Sequence, residues 1–147
     1  MCQTDVVPQS PDEDTRIAKI CGQYNHKAIY KFMDGNERRL AYCGKANYHY
    51  QYGKIDILVN NAATNPVFGP IEDMTGDLFD KLMQVNVKAA FMLSNLCLTH
   101  LKKSGSGSVI HISSVEGFKP SPGLSLYSVS KAALIMLCKA QAKEWGA

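Results

Sequence analysis

Residues 55–63 read Ile-Asp-Ile-Leu-Val-Asn-Asn-Ala-Ala, and this stretch decides the fold. An apolar run that ends in polar and small residues is typical of a strand buried on both faces of a parallel sheet. A second apolar run, residues 108–114, predicts another strand. Helical spacing of apolar residues predicts one long helix from the N-cap Thr75 to about Lys103 and a second from about Ser125 to Glu144. Residues 53–147 therefore read as α/β material.

The second helix carries Tyr127 and Lys131, four residues apart, with Ser114 thirteen residues upstream of the tyrosine. Positions i and i+4 share one helix face, with Cβ atoms about 5–6 Å apart. An ammonium so close to a phenol favours the phenolate and lowers its pKa from the usual value of about 10. The pair therefore suits proton transfer at neutral pH. A Tyr-x-x-x-Lys pair also occurs by chance on many helices, so the spacing alone leaves a structural role open.

Four signatures occur together in one order: Asn60-Asn61-Ala62-Ala63, Asn86 within Met83–Val87, the strand that leads into Ser114, and the Tyr127–Lys131 pair. From Tyr52 to the C-terminus, about two-thirds of its length, the chain resembles the short-chain dehydrogenase/reductase family. The resemblance implies a partial Rossmann-like fold, with a doubly wound parallel sheet. It also implies hydride transfer between NAD or NADP and a small carbonyl or alcohol substrate. The loop from Asn61 to Gly69 is most similar to the NADP-dependent carbonyl and retinal reductases, although Ala63 stands where the family commonly has glycine.

The resemblance also assigns roles to single residues. Tyr127 would be the general acid/base, and Lys131 would lower its pKa and hold the ribose hydroxyls of the cofactor. Ser114 would donate a hydrogen bond to the substrate oxygen, and Asn86 would support a water that links Lys131 to solvent. The implied catalytic residues are thus Asn86, Ser114, Tyr127 and Lys131, and the implied cofactor-binding residues are Asn60, Asn61, Ala62, Tyr127 and Lys131. Structural alternatives stay open: Ser114 ends or caps a strand, Asn86 satisfies a helix kink, and Asn60 and Asn61 tie down a strand end.

Family members begin with a Gly-rich turn whose backbone N–H groups approach the cofactor pyrophosphate. The first 52 residues contain only Gly22, Gly35 and Gly44, and these do not match that spacing. The family also continues beyond the second helix into further strands. The two strands predicted here would then each lack a partner on the outer side, and cofactor binding by this chain alone is in doubt. The alternative function is a truncated, non-catalytic fragment that associates with full-length relatives through its helices.

Residues 1–52 read as a segment of different origin from residues 53–147, because six of the seven tyrosines lie before residue 53. Residues 1–15 predict a polar, disordered leader, and residues 48–52 predict a half-buried strand. Asp34-Gly35 between apolar stretches predicts a β-hairpin over residues 28–43. A metal site is not expected, since Cys21, His26, Cys43 and His49 are spaced too loosely for a zinc knuckle.

The composition of the chain indicates which kinds of binding partner and which cellular compartment to expect. The net charge is +3 without a long basic run, which argues against nucleic-acid binding. The apolar runs are shorter than the roughly 18–20 residues that span a bilayer, and the N-terminus lacks the pattern of a signal peptide. Five cysteines, an odd number, favour free thiols in the cytoplasm. The expected partners are a small carbonyl or alcohol substrate and, by resemblance, further copies of the chain packed through the two long helices.

Overall fold

The computed structural model describes residues 28–34, 37–42 and 55–146, with side-chain detail for residues 55–146. The strands are β1 (Ala28–Asp34), β2 (Glu37–Tyr42), β3 (Ile57–Asn60) and β4 (Ser108–His111). The α-helices are α1 (Gly76–Met83), α2 (Ala89–Ser104) and α3 (Ser125–Trp145). A π-helix, Gln84–Lys88, joins α1 to α2, and short 3₁₀ helices lie at Ile71–Asp73 and Val115–Gly117.

The described strands form one sheet in the order β2-β1-β3-β4. β3 and β4 run parallel, with Asn60 opposite His111, as strands joined by a helical crossover do. β1 runs antiparallel to both β2 and β3. The α/β class is confirmed, but the expectation that β3 lacks an outer partner is wrong. An unpaired strand edge presents free N–H and C=O groups that can pair with another extended segment. In this chain β1 is the segment that pairs with the edge of β3.

β1 and β2 lie where the sequence predicts a hairpin, although its turn, residues 35–36, lies outside the described residues. The predicted leader over residues 1–15, the predicted strand at residues 48–52 and the four Cys and His residues also lie outside them.

Both long helices pack against one face of the sheet. Asn60 and His111 are register partners, and the first contacts Ser94 of α2 while the second contacts Gln141 of α3. On the opposite face Ile57 and Val59 are only half-buried, so the prediction that β3 is buried on both faces is wrong among the described residues. The core lies between helices and sheet and includes Ile55, Leu58, Leu82, Leu93 and Leu134. Each such side chain contributes about 1.5–3 kcal/mol through burial.

The predicted helix from Thr75 to Lys103 is continuous in direction but changes its winding in the middle. It begins as predicted, because Thr75 Oγ1 accepts a hydrogen bond from the N–H of Leu78 at 3.2 Å. At its centre the N–H of Ala89 donates to the carbonyl of Gln84, five residues back, and so widens the turn. The helix ends at Gly105, whose φ of 74° is a left-handed conformation that favours glycine. The wide turn is the feature that matters for the site, because it contains Asn86.

Candidate active site

The chain leaves β4 through three residues that all contact the α3 side of the molecule. Ile112 accepts a hydrogen bond from Lys131 Nζ at 2.8 Å, and Ser113 Oγ donates to the carbonyl of Lys131 at 3.0 Å. Ser114 Oγ accepts from the N–H of Glu116 at 3.2 Å, so it caps the short helix Val115–Gly117. Capping uses a lone pair and leaves the Ser114 hydroxyl proton free among the described contacts. The capping interpretation and a donor role are therefore compatible.

Tyr127 and Lys131 lie in the first turns of α3, on the face that meets the end of β4. The Lys131 ammonium lies 5.6 Å from the centroid of the Tyr127 ring, within the range of a cation–π contact. Lys131 is 2% exposed, and this burial lowers the pKa of its amine. An ammonium has three donors, and the carbonyl of Ile112 takes one of them. The Tyr127 hydroxyl has no hydrogen-bond partner within the described part of the chain.

Asn86, at 1% exposure, connects the π-helix to two other segments. Its Oδ1 accepts from the N–H of Thr64 at 2.7 Å and its Nδ2 donates to the carbonyl of Thr64 at 3.0 Å. Nδ2 also donates to Ser130 Oγ at 2.9 Å, and that hydroxyl donates to the carbonyl of Tyr127 at 2.7 Å. One side chain thus holds the loop after β3 and the helix turn that carries Tyr127. Its predicted part in a water relay stays a prediction.

Asn60 belongs to a buried polar network at the ends of β3 and β4. Its Nδ2 donates to Ser94 Oγ at 3.1 Å and lies 3.3 Å from His111 Nδ1. His111 Nε2 lies 2.8 Å from Gln141 Oε1, so the contacts fit an imidazole protonated at Nε2 that accepts at Nδ1. Burial lowers the pKa of His111 and so favours this neutral form. The network agrees with the alternative that Asn60 ties down the strand end, whereas Asn61 is exposed and Ala62 half-buried.

Several residues that hold the site together were not singled out from the sequence for this role. A Cβ on Gly117 would lie 2.9 Å from the carbonyl carbon of Lys131, so glycine lets this turn approach α3 closely. Thr64, Ser113 and Ser130 act through hydrogen bonds to residues far away in sequence. No local pattern reveals such contacts, because they depend on the packing of separate elements.

A sequence model described as short chain dehydrogenase matches residues 3–147. The chain belongs to the short-chain dehydrogenase family.

Relatives in the family show how much of a whole member this chain represents. It is 48% identical to dehydrogenase/reductase SDR family member 4 from Homo sapiens over 93 residues. This aligned part is 63% of this chain and 34% of the relative. It is 42% identical to the protein of the same name from Caenorhabditis elegans over 92 residues, and this aligned part is 63% of this chain and 35% of that relative. The chain thus spans about a third of the length of the curated relatives it matches.

Solved structures give the same picture. A short chain dehydrogenase from Escherichia coli CFT073 complexed with NADPH matches with a TM-score of 0.62 at 30% identity, over 65% of this chain and 40% of that one. An NAD⁺-bound xylitol dehydrogenase matches with a TM-score of 0.59 at 32% identity, over 63% of this chain and 35% of the xylitol dehydrogenase chain. These likenesses confirm the Rossmann-like α/β fold class for the matched part.

Two further features, a metal-binding cluster and a membrane-spanning helix, are absent from the described residues. Within residues 28–34, 37–42 and 55–146, no group of three or more His, Cys, Asp or Glu side chains is arranged to hold a metal ion. None of the helices in this part combines the length and the apolar character that crossing a membrane requires.

Proposed function

We propose that the chain carries the catalytic centre of an NAD(P)-dependent dehydrogenase or reductase that acts on a small carbonyl or alcohol. The observation that carries the proposal is the buried ammonium of Lys131, which retains two unused N–H donors and lies 5.6 Å from the ring centroid of Tyr127, whose hydroxyl has no partner in the described structure. A buried charge with unused donors is costly to a fold and is typical of a site that binds a ligand.

The proposed roles follow from the chemistry of each group. When bound, the nicotinamide donates or accepts the hydride. As the substrate carbonyl is reduced, charge develops on its oxygen, and Tyr127 gives that oxygen its hydroxyl proton while Ser114 donates a hydrogen bond to it. In the oxidative direction Tyr127 takes the proton from the alcohol. Donors positioned before the reaction stabilise the charge that develops in the transition state, and positioned acid/base catalysis contributes about 10²–10⁴-fold.

The residues fit the nicotinamide half of the cofactor better than its pyrophosphate half. The two unused Lys131 donors suit the ribose hydroxyls, and exposed Asn61 lies at the end of β3, where open α/β sheets bind their ligands. The Gly-rich turn that would hold the pyrophosphate is missing from the first 52 residues. The proposed cofactor is NADP or NAD: residues 61–69 resemble NADP-dependent reductases, and both NADPH and NAD⁺ occur among the structural relatives.

Self-association through the long helices is part of the proposal. Large apolar side chains are exposed on α2 and α3, among them Phe91, Val129 and Met136. A cytoplasmic location is proposed from the odd number of cysteines, which favours free thiols. The alternative of a non-catalytic fragment is less favoured, because the chain matches the family model and structural relatives that hold NADPH or NAD⁺.

The proposal is tested by titrating the purified chain with NADPH and NADH while following nicotinamide fluorescence, and then by assaying a panel of small ketones and aldehydes. Tyr127→Phe should lower turnover by about 10²–10⁴-fold, because it removes the hydroxyl that carries the transferable proton. Tyr30→Phe, a change in β1, serves as the matched control. Turnover that survives in Tyr127→Phe would contradict the assigned acid/base, and lack of cofactor binding by the wild-type chain would favour the fragment alternative.

A further inference from the structure

The segment between Ser114 and Tyr127 contains a carboxylate that the proposed chemistry does not use, that of Glu116. Its Oε1 accepts a hydrogen bond from Ser121 Oγ at 2.7 Å, and its Oε2 accepts from the backbone N–H of Ser121 at 2.8 Å. Oε2 also accepts from Ser128 Oγ at 2.9 Å. One side chain therefore joins the loop over residues 118–124 to the helix α3.

The three donors act on the carboxylate as a group. Hydrogen bonds from the Ser121 hydroxyl, the Ser121 N–H and the Ser128 hydroxyl, in that order of size, lower the pKa of Glu116. The side chain is therefore ionised throughout the neutral pH range, and hydrogen bonds to an ionised acceptor are about twice as strong as neutral ones. Ser128, the donor of the third bond, is 4% exposed.

Glu116 contacts Ser114 directly and the helix turn of Tyr127 through Ser128. Its backbone N–H donates to Ser114 Oγ at 3.2 Å, which orients the Ser114 hydroxyl. Its carboxylate holds Ser128, the residue next to Tyr127 on α3. The Ser128 hydroxyl also lies 2.9 Å from the carbonyl of Leu124, so its single proton is shared between a helix acceptor and Glu116.

The far end of the same loop is fixed by glycine. Gly123 has a φ of 81°, and its carbonyl accepts from the N–H of Gly69 at 3.1 Å. A Cβ at Gly123 would lie 2.5 Å from the ring of Phe68, so the two loops are in close contact there. This contact ties the loop to residues 68–69, and Glu116 ties it to α3.

We propose that Glu116 is a positioning residue, whose carboxylate holds the loop over residues 118–124 against α3 and so sets the placement of Tyr127 relative to Ser114. The inference rests on the proposed function, since it assigns Glu116 a part in that same site. It concerns placement alone, and Glu116 takes no proton in the reaction.

The test uses the full 147-residue chain with three variants. Glu116→Gln keeps the shape but presents an amide NH₂ to at least one of the three donors. Ser128→Ala removes one donor, and Glu144→Gln changes an exposed carboxylate at the end of α3 as the matched control. Three properties are measured: hydrogen exchange of the Ser121 amide, the nuclear Overhauser effect between the Tyr127 ring and the Ser114 side chain, and the kinetic constants kcat and KM.

In Glu116→Gln we expect Ser121 exchange to rise about tenfold or more, the Tyr127–Ser114 Overhauser effect to change, and kcat to fall about 10- to 100-fold with the cofactor KM little changed. Ser128→Ala should show smaller changes in the same direction, and the double variant should not be additive. Unchanged Ser121 exchange would overturn the inference, as would faster exchange with an unchanged Overhauser effect and kcat. If the wild-type chain has no turnover, the proposed function fails for this chain, and the exchange and Overhauser measurements still decide the placement claim.

Discussion

At the scale of single residues, Lys131 shows how the fold and the proposed chemistry conflict. An ammonium is among the costliest groups to bury, yet this one is 2% exposed and has one hydrogen bond from its amine to the protein, to Ile112 O. Because burial lowers its pKa, the folded state holds the proton less tightly than the unfolded chain does. A residue selected for stability alone would be apolar at this position.

Lys131→Met should therefore separate activity from stability. The substitution keeps the length of the side chain and removes the charge, so turnover should fall by at least about 100-fold, while the free energy of unfolding stays equal or rises. Urea unfolding and the carbonyl-reduction assay measure the two effects. Lys139→Met, a change to an exposed lysine on the same helix, should alter neither. A large loss of stability with turnover retained would contradict the proposed role.

The pH dependence of the unfolding free energy, compared between the wild type and Lys131→Met, gives a second prediction. The folded-state pKa of Lys131 lies below its ordinary value of 10.5. Between those two values the unfolded chain binds more protons, so the unfolding free energy contributed by Lys131 rises with pH. In urea titrations across the alkaline range this rise should be present in the wild type and smaller in Lys131→Met. Equal slopes in the two proteins would show that the amine is not perturbed in solution.

At the scale of elements, the sequence predicted the strands, the helices and the capping residue with small errors at their ends. Apolar runs and helical spacing are local, so β3, β4 and α3 follow from them. The antiparallel partner of β3 and the π-helix do not, because both depend on contacts distant in sequence. Asn86 was expected as a family residue, but its bonds to Thr64, 22 residues away, carry no sequence signal.

The π-helix makes Asn86 the most sensitive position of the α1–α2 connection. Asn86→Leu leaves the half-buried N–H and C=O groups of Thr64 without these partners, so we expect it to cost about 1–3 kcal/mol of unfolding free energy. Asn95→Leu, on the exposed side of α2, should change it by less than about 0.5 kcal/mol. Chemical denaturation followed by circular dichroism measures both. Equal stability of the two variants would mean that the Thr64 link is not formed in solution.

The turn between β4 and α3 gives a prediction about packing. Gly117→Ala places a methyl group against the backbone of Lys131, which cannot move aside as a side chain can, so the cost should be about 1–3 kcal/mol. At Gly76 nothing lies within 4 Å of an added Cβ, so Gly76→Ala should be neutral or slightly stabilising. Thermal unfolding of the two variants makes the comparison. A Gly117→Ala protein as stable as Gly76→Ala would contradict the close approach.

At the scale of the whole molecule, one polar network links both long helices to the face of the sheet on which they pack. It runs from Ser94 of α2 to Asn60 of β3, His111 of β4 and Gln141 of α3. The two side chains that contact the imidazole are uncharged amides, so nothing in this contact set compensates a positive charge on His111. The cohesion of helices and sheet should therefore depend on a neutral imidazole.

Acidification should weaken the fold through this group. Burial places the folded-state pKa of His111 below 6.5, so between that pKa and 6.5 the unfolded chain binds more protons and stability falls as pH falls. The slope for one proton is at most about 1.4 kcal/mol per pH unit. His111→Gln should lose this part of the pH dependence in denaturant titrations, and proton NMR of the His111 ring should show its titration directly. A wild-type slope equal to that of His111→Gln would contradict the prediction.

The wide turn at Gln84–Lys88 has an evolutionary consequence. It amounts to a one-residue insertion into an ordinary α-helix, of the kind that often accompanies function. Deleting one of its five residues would restore regular winding, and the apolar stripes on either side would still face the sheet. Such a shortened chain would lose the inward-facing amide and its links to Thr64 and Ser130, so the extra codon serves both the folding of this connection and the proposed site.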